Sequence, residues 1–134
     1  MATVKRVTYF KARVEDKPGT LQGLLRNLKE KNIGLISLKG VGQGEHGDIL
    51  VVAKNPDDLR NEWKNSGTLV EEGTAFFVSG EDKTGALMAS LDATSKAGVN
   101  VVAIEAVAVG TRYGAILWVD PTDLEKTAKA LGAK

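Results

Sequence analysis

The sequence predicts an α+β fold of two similar units packed together, with antiparallel strands on one side and helices on the other. The first observation is a repeat, because EDKPGTL at 15–21 recurs as EDKTGAL at 81–87. The second is that apolar positions from Leu21 to Val41 match positions sixty-six residues later. The third is that each copy shows first strand-like and then helix-like periodicity. We therefore interpret the chain as a tandem duplication.

In the first copy, periodicity predicts the order strand, helix, strand, strand, helix. Residues 9–14 alternate between polar and apolar, which is typical of a half-buried strand. Leucines at positions 21, 24, 25 and 28 then share one face of a helix. The runs IGLISLKG and DILVVAK follow, joined by the glycine-rich VGQGEHG. These two runs predict a hairpin.

Each copy ends in a short helix with three signals: a capping Asn or Asp, a proline in the first turn and a terminating glycine. They are Asn55, Pro56 and Gly67 in the first copy, and Asp120, Pro121 and Gly132 in the second. Between these helices and the repeated heptapeptide, HGDILVV at 46–52 matches YGAILWV at 113–119 if one residue is inserted. This match makes Tyr113 the counterpart of His46.

We place the first unit at residues 1–68 and the second at residues 69–134. TLVEEGTAFFVSG at 68–80 is expected to close the first unit and to run into the opening strand of the second. The sequence stops shortly after the last helix of the second unit. We therefore expect the N-terminal ATVKR, residues 2–6, to supply the missing edge strand, so that the units interlock.

Composition excludes several classes of function. Lysine and arginine number 18 against 17 acidic residues, so the net charge of +1 gives no electrostatic footprint for nucleic acid or an anionic membrane. The absence of cysteine excludes disulfides and thiolate chemistry. No apolar run is long enough for a transmembrane helix, and the N-terminus lacks a signal-peptide core. We expect a cytoplasmic protein with neither a nucleic-acid nor a membrane partner.

The chain resembles the ACT domain, once per copy. The resemblance is carried by the predicted order of elements, by DKPGTL at the first strand-to-helix turn and by AGVNVV at 97–102 entering a strand. ACT domains are small ferredoxin-like (βαββαβ) modules that bind amino acids and regulate metabolic enzymes. The resemblance implies two such units, a small amino acid ligand, a homodimer and a target metabolic enzyme. It implies neither catalysis nor a cofactor.

In that family, effectors sit where two units meet, at the turn before the first helix and the start of the second strand. The matching turn residues are Asp16, Lys17, Pro18, Gly19, Thr20 and Leu21, and in the second copy Asp82, Lys83, Thr84, Gly85, Ala86 and Leu87. The ligand-holding asparagine of the family matches Asn100. The first copy has Gly34 at that position and its asparagine at Asn32. The two sites are therefore not expected to be equivalent.

The chemistry of these residues suits an amino acid ligand. Gly19 and Gly85 allow backbone to approach a ligand closely, and amides at a helix N-terminus favour an anion. Asn100 offers both a donor and an acceptor for the two ends of a zwitterion. EDKPGTL also fits a plain strand-to-helix turn that binds nothing, so a structural role stays open.

Other motifs have simpler interpretations. GQGEHG at 42–47 matches the dinucleotide pattern G-x-G-x-x-G, but a strand and not a helix follows it. We expect a hairpin tip there, with a flap over a neighbouring ligand as the open alternative. His46 is the single histidine, so neither a histidine-rich metal site nor a catalytic triad is expected. Trp63 and Trp118 are interpreted as packing residues.

Acidic residues in the two turns are interpreted as a solvated rim, not as an acid/base pair, because each pair precedes a lysine. They are Glu15, Asp16, Glu81 and Asp82. The sequence therefore predicts a non-catalytic regulatory or sensor protein that binds a small amino acid between ACT units. Two alternatives remain: an interaction module that has lost ligand binding, which Gly34 favours, and a small enzyme of the same fold.

Overall fold

The computed structural model describes residues 2–133, with Gln43 described in its backbone only. Its elements in chain order are β1 (Thr3–Glu15), α1 (Thr20–Glu30), β2 (Leu35–Gln43), β3 (His46–Ala53), α2 (Pro56–Asn65), β4 (Leu69–Glu81), α3 (Met88–Lys96), β5 (Val101–Val109), β6 (Arg112–Val119), a 3-10 helix (Pro121–Asp123) and α4 (Leu124–Leu131). The α+β class and the order of elements agree with the sequence prediction. Within residues 2–133, no helix has both the length and the apolar character needed to cross a bilayer.

Contacts divide the chain into two compact units. The first compact unit is Thr8–Gly73, and the second is formed by the chain up to Val7 together with the residues from Thr74 onward. The boundary between residues 68 and 69 was set from the repeat in the sequence, and it stays a prediction. Each unit has a four-stranded sheet, ordered β2-β3-β1-β4 in the first and β1-β4-β6-β5 in the second.

In the first compact unit, both helices cover the same face of the sheet. Antiparallel register places four apolar side chains of β1 and β3 on that face: Phe10 opposite Val51, and Ala12 opposite Ile49. Leu28 of α1 and Trp63 of α2 are buried against these strands. The first core is therefore a sandwich of sheet and two helices, as the ferredoxin-like order requires.

The second compact unit repeats this packing. Phe76 lies opposite Leu117 and Val78 lies opposite Ala115. Leu91 of α3 packs against this core, and Ala128 of α4 is buried in it. The helix-covered face of the sheet is thus apolar in both units.

The N-terminal residues complete the second unit. Val4 packs against its core. The Arg6 guanidinium donates to the Glu125 carboxylate of α4, with Nη2 3.0 Å from Oε1. Residues 3–7 of β1 therefore serve the second unit, as the sequence predicted for ATVKR.

Strand register corrects the alignment of the two copies. Ile49 lies opposite Ala12, and Ala115 lies opposite Val78, the residue sixty-six positions after Ala12. Ile49 and Ala115 are therefore equivalent, and no residue is inserted. The match of HGDILVV to YGAILWV was wrong because it aligned identical letters one residue out of step. A shift of one residue places every side chain on the opposite face of the sheet.

This correction changes one assignment. Tyr113 lies opposite Gly80, and Gly47 lies opposite Val14, the counterpart of Gly80. The counterpart of Tyr113 is thus Gly47 and not His46. The second copy has an aromatic side chain at a position where the first has none.

The helix-end signals are confirmed. The Asn55 carboxamide oxygen accepts a hydrogen bond from the Asp58 amide at 3.4 Å, and the Asp120 carboxylate accepts one from the Thr122 amide at 2.9 Å. Gly67 and Gly132 both follow a helix in the left-handed conformation. One difference appears in the second copy, where the proline turn is a 3-10 helix before α4 begins.

Deleting residues 2–6 is expected to lower thermal stability. The deletion removes Val4 from the second core and breaks the link to Glu125, leaving apolar surface exposed. The measurement is the midpoint of thermal unfolding, followed by circular dichroism. The variant Arg6→Gln is the control, because it removes the exposed ion pair alone and should cost much less. An unchanged midpoint for the deletion would contradict the role assigned to this strand.

Candidate functional site

The two predicted turns have the same frame. The Asp16 amide donates to the Glu45 carbonyl at 3.0 Å, and the Asp82 amide donates to the Thr111 carbonyl at 2.8 Å. Each turn is thereby attached to the hairpin tip of its own unit. The turn glycine that follows is left-handed in both copies, with φ of 89° in one and 77° in the other. Only glycine adopts this conformation without a steric cost, which explains its place in both heptapeptides.

The helices after the turns begin differently. In the first copy the Thr20 hydroxyl donates to the Lys17 carbonyl at 2.7 Å, and α1 starts at Thr20. The second copy has Ala86 at the equivalent position, which has no hydroxyl. There the Met88 amide donates to the Gly85 carbonyl at 3.0 Å, and α3 starts only at Met88. The second turn is therefore longer by two residues than the first.

A groove of about 360 Å³ lies beside this longer turn and is called the turn groove below. Its walls are the turn with the start of α3, the last part of β5, and the first part of β6. The lining residues are Asp82, Lys83, Gly85, Ala86, Leu87, Met88, Ala106, Val107, Ala108 and Tyr113. Five of the six residues predicted for the second turn thus meet in one groove, and Thr84 is exposed outside it.

Charged residues lie at the rim of the turn groove. The Lys83 ammonium is 3.2 Å from the Glu81 carboxylate, and both side chains are mostly exposed. Lys17 and Glu15 form the same contact in the first copy, at 2.9 Å. Exposed pairs of this kind contribute little to stability, so the lysines are available to other anions. The acidic turn residues are exposed, in agreement with a solvated rim.

Asn100 does not line the turn groove. It is exposed and precedes Val101, the first residue of β5, whereas the groove contacts the opposite end of that strand. Each strand residue advances the chain by about 3.3 Å, so Asn100 lies roughly 20 Å from Ala106–Ala108. One unit by itself therefore does not bring Asn100 and the second turn together.

In the first copy, the structure gives Asn32 a backbone role. Its φ is 58°, and its amide donates to the Lys29 carbonyl while the Ile33 amide donates to Leu28. This is the pattern that ends a helix with a left-handed residue. Gly98 ends α3 in the same way, with φ of 74°. Asn32 is thus the counterpart of Gly98, and its side chain has no equivalent in the second copy.

Gly34, the counterpart of Asn100, lies beneath a lysine side chain. A Cβ at this position would be 3.0 Å from Cδ of Lys54, and the Lys54 amide donates to the Gly34 carbonyl at 2.9 Å. Of the residues predicted for the first turn, Leu21 lines a groove along α1 with Gln22, Leu25, Arg26 and Lys29. The first copy is therefore built differently from the second at both parts of the predicted site.

The remaining motifs are a hairpin tip and two buried tryptophans. GQGEHG spans the end of β2 and the start of β3, without a helix after it. Among residues 2–133, no three His, Asp or Glu side chains lie close enough to hold a metal ion. Trp63 is fully buried in the first core, and Trp118 is 5% exposed, so neither offers a stacking surface.

The geometry defines a class of protein before any comparison. Two four-stranded sheets, each covered on one face by two helices, make a pair of ferredoxin-like units with a groove beside a glycine turn. A family model described as an ACT domain pair matches residues 2–131. The chain belongs to this ACT domain pair family, as its resemblance to ACT domains indicated.

Solved structures show the same fold at low sequence identity. The protein BT0572 from Bacteroides thetaiotaomicron is 21% identical, with a TM-score of 0.82 over 98% of this chain and 88% of that one. The ligand-free regulatory subunit of aspartate kinase from Thermus thermophilus is 13% identical, with a TM-score of 0.63 over 98% and 95%. Aspartokinase alpha and beta subunits are 16% identical, with 0.60 over 96% and 94%. None of the curated proteins matches the chain.

Two glycine substitutions are expected to have opposite effects. Gly19→Ala should destabilise the fold by about 1 kcal/mol, because alanine is strained at a φ of 89°. Gly23→Ala should stabilise it by about 0.5–1 kcal/mol, because this glycine lies inside α1 and its missing Cβ would meet no atom within 4 Å. The free energy of unfolding in urea is the measurement. Effects of the same sign would contradict the structural role given to the turn glycine.

Proposed function

We propose that the protein is a non-catalytic regulatory protein that binds a small amino acid where the second units of two copies meet. A single observation carries this proposal. The turn groove and Asn100 lie at opposite ends of one strand, β5, and that strand is the last in its sheet. A second copy is the simplest way to bring the two parts of the site together.

β5 has the features of an edge strand that pairs with another strand. Four of its apolar side chains are 40–75% exposed: Val102, Ile104, Val107 and Val109. Glu105 is its only charged residue. Exposed sheet edges are normally protected by charges, prolines or bulges, since their free amides and carbonyls pair readily with other strands. An apolar edge of nine residues is therefore suited to pairing between copies.

Antiparallel pairing of β5 with β5 of a second copy satisfies the geometry. In such a pair the start of one strand lies beside the end of the other. Asn100 of each copy then lies at the turn groove of its partner, close to Ala106–Ala108. The two-fold relation generates two identical ligand sites per dimer.

In the proposed site, different groups bind the two charged ends of the ligand. Backbone amides of the turn and the Lys83 ammonium receive the carboxylate, and Gly85 lets the backbone approach it. The carboxylate of Asp82 and the carboxamide of Asn100 receive the ammonium. Each charged end of the ligand thus meets a partner of opposite charge or polarity.

Ligand binding at this boundary gives regulation. A ligand held by both copies binds the dimer better than the monomer, so it shifts the dimerisation equilibrium by its own binding free energy. The family match and the regulatory subunits of aspartate kinase among the similar structures support a regulatory role. We propose a metabolic enzyme as the target of the ligand-bound dimer and keep the cytoplasmic location as a prediction.

A thermal-shift panel of the amino acids at millimolar concentration tests the proposal. One amino acid should raise the unfolding midpoint, because ligand at 100 times its Kd stabilises a protein by about 2.7 kcal/mol. Asn100→Ala should remove most of this shift. Asn32→Gly is the matched control, since glycine keeps the left-handed conformation and only the carboxamide is lost. No shift with any amino acid would overturn the sensor proposal.

Mixing two defective variants tests whether the site is shared. Asn100→Ala lacks the asparagine, and Ala86→Phe fills the turn groove. A mixed dimer has one site in which both parts are intact and one in which both are defective. Calorimetric titration of the mixture should therefore recover binding at one ligand per mixed dimer. If the mixture binds no ligand although both variants are folded, the turn groove and Asn100 do not form a site shared between two copies.

Val107→Lys should weaken dimerisation by at least about tenfold, because it adds a charge to the pairing edge. Val70→Lys is the matched control, since Val70 is 51% exposed and belongs to the first compact unit, whereas β5 belongs to the second. Sedimentation velocity over a range of concentrations gives the dimer Kd of both variants. Equal effects of the two lysines would contradict pairing through β5.

The alternative is an assembly module that binds no ligand. Lys54 over Gly34 favours it for the first copy, since the position of the ligand-holding asparagine lies under a side chain there. The two functions differ in one outcome. The assembly module predicts that Val107→Lys disrupts the dimer while no amino acid stabilises the protein and Asn100→Ala has no effect.

A further inference from the structure

The hydroxyl of Tyr113 is buried without a hydrogen-bond partner among the described residues. Most buried polar atoms in proteins have a partner, because an unpaired one loses its hydrogen bonds to water and gains none. Tyr113 also lines the turn groove. An unpaired phenol in the wall of a groove points to a group that arrives from outside.

The position of the ring follows from its neighbours. Tyr113 is the second residue of β6 and lies opposite Gly80 on β4 and Ala108 on β5. Because these neighbours are small, the ring has room to pack against the second core, where it is partly buried. Its counterpart in the first copy is Gly47, so only the second copy has this hydroxyl.

The charged ends of the ligand do not use this phenol. In the proposed site the turn, the rim charges and Asn100 meet the carboxylate and the ammonium. Between them, the groove wall is made of apolar side chains such as Leu87, Ala106 and Ala108. The side chain of the ligand is the part that faces this wall. Tyr113 is the one residue of this part of the wall whose side chain has a group that can donate and accept a hydrogen bond.

We propose that Tyr113 selects the ligand through the ligand's own side chain, and that this side chain bears a hydrogen-bonding atom. This inference rests on the proposed function. A hydroxyl, carboxamide or carboxylate on the ligand pairs with the phenol, while an aliphatic side chain leaves it unpaired. Sites that use a buried hydrogen bond in this way reject analogues that lack the bonding atom.

Shape-matched amino acids separate polarity from size. Threonine and valine have the same shape, and so nearly do asparagine and leucine. In at least one pair, calorimetric titration of the wild-type protein should give about tenfold tighter binding for the polar member. Tighter binding of valine or leucine would overturn the inference.

Tyr113→Phe removes the hydroxyl alone. It should weaken binding of the polar ligand about tenfold and leave its apolar analogue unchanged, so that the preference disappears. It should not lower the unfolding midpoint of the ligand-free protein, because the hydroxyl it removes has no partner among the described residues.

Tyr9→Phe is the matched control, since the chain has two tyrosines. The Tyr9 hydroxyl donates to the Glu71 carboxylate, so its removal should lower the midpoint and leave ligand affinity unchanged. Affinity and stability thus respond to different tyrosines.

The outcomes distinguish the two proposals. If an amino acid binds and Tyr113→Phe keeps the preference for the polar member, the role of Tyr113 is wrong while the proposed function stands. If no amino acid binds the wild-type protein, both are wrong. A fall in the ligand-free midpoint of Tyr113→Phe, without loss of affinity, would show that the hydroxyl is structural.

Discussion

Completion of each sheet by a fourth strand is the constraint on which the rest of this structure depends. A repeat of strand, helix, strand, strand, helix leaves one side of its first strand unpaired, and unpaired backbone groups are costly when buried. In the second compact unit, residues 3–7 supply the missing strand. This strand is held by the packing of Val4 against the core and by the contact of Arg6 with Glu125. In the first, residues 69–73 supply it. The cores, the helix-covered faces and the turns all follow from sheets completed in this way.

The duplication has produced two copies that share a framework and differ in their polar groups. Both keep the glycine turn and its attachment to the hairpin tip, because backbone geometry demands them. Three of the differences between them bear on the proposed site: Thr20 against Ala86, Gly34 against Asn100, and Gly47 against Tyr113. Each of these differences lengthens the turn of the second copy or adds a polar side chain to that copy. These differences are the reason why we propose the binding site in the second copy and not in the first.

Separation of Asn100 from the turn groove gives the proposed sensor its mechanism. A site complete within one unit would bind ligand without any effect on assembly. A site divided between the two ends of an edge strand is complete only when two copies pair, so occupancy and dimerisation are linked thermodynamically. In the proposed dimer, ligand binding adds to the free energy of pairing, so the degree of dimerisation depends on the ligand concentration.

The sequence by itself determined the duplication, the order of elements, the helix caps and the two turns, because these depend on local periodicity and on residues such as Gly19 and Pro56 that act over one turn of chain. Only the tertiary structure decided the register of β6. The alignment of identical letters had matched Tyr113 with His46, whereas the strand pairing matches it with Gly47. The tertiary structure also showed that Asn32 ends a helix, that Lys54 covers Gly34, and that Asn100 lies far from the turn groove. These facts depend on which residues face each other across strands, and a one-residue shift that hardly changes the letters reverses every face.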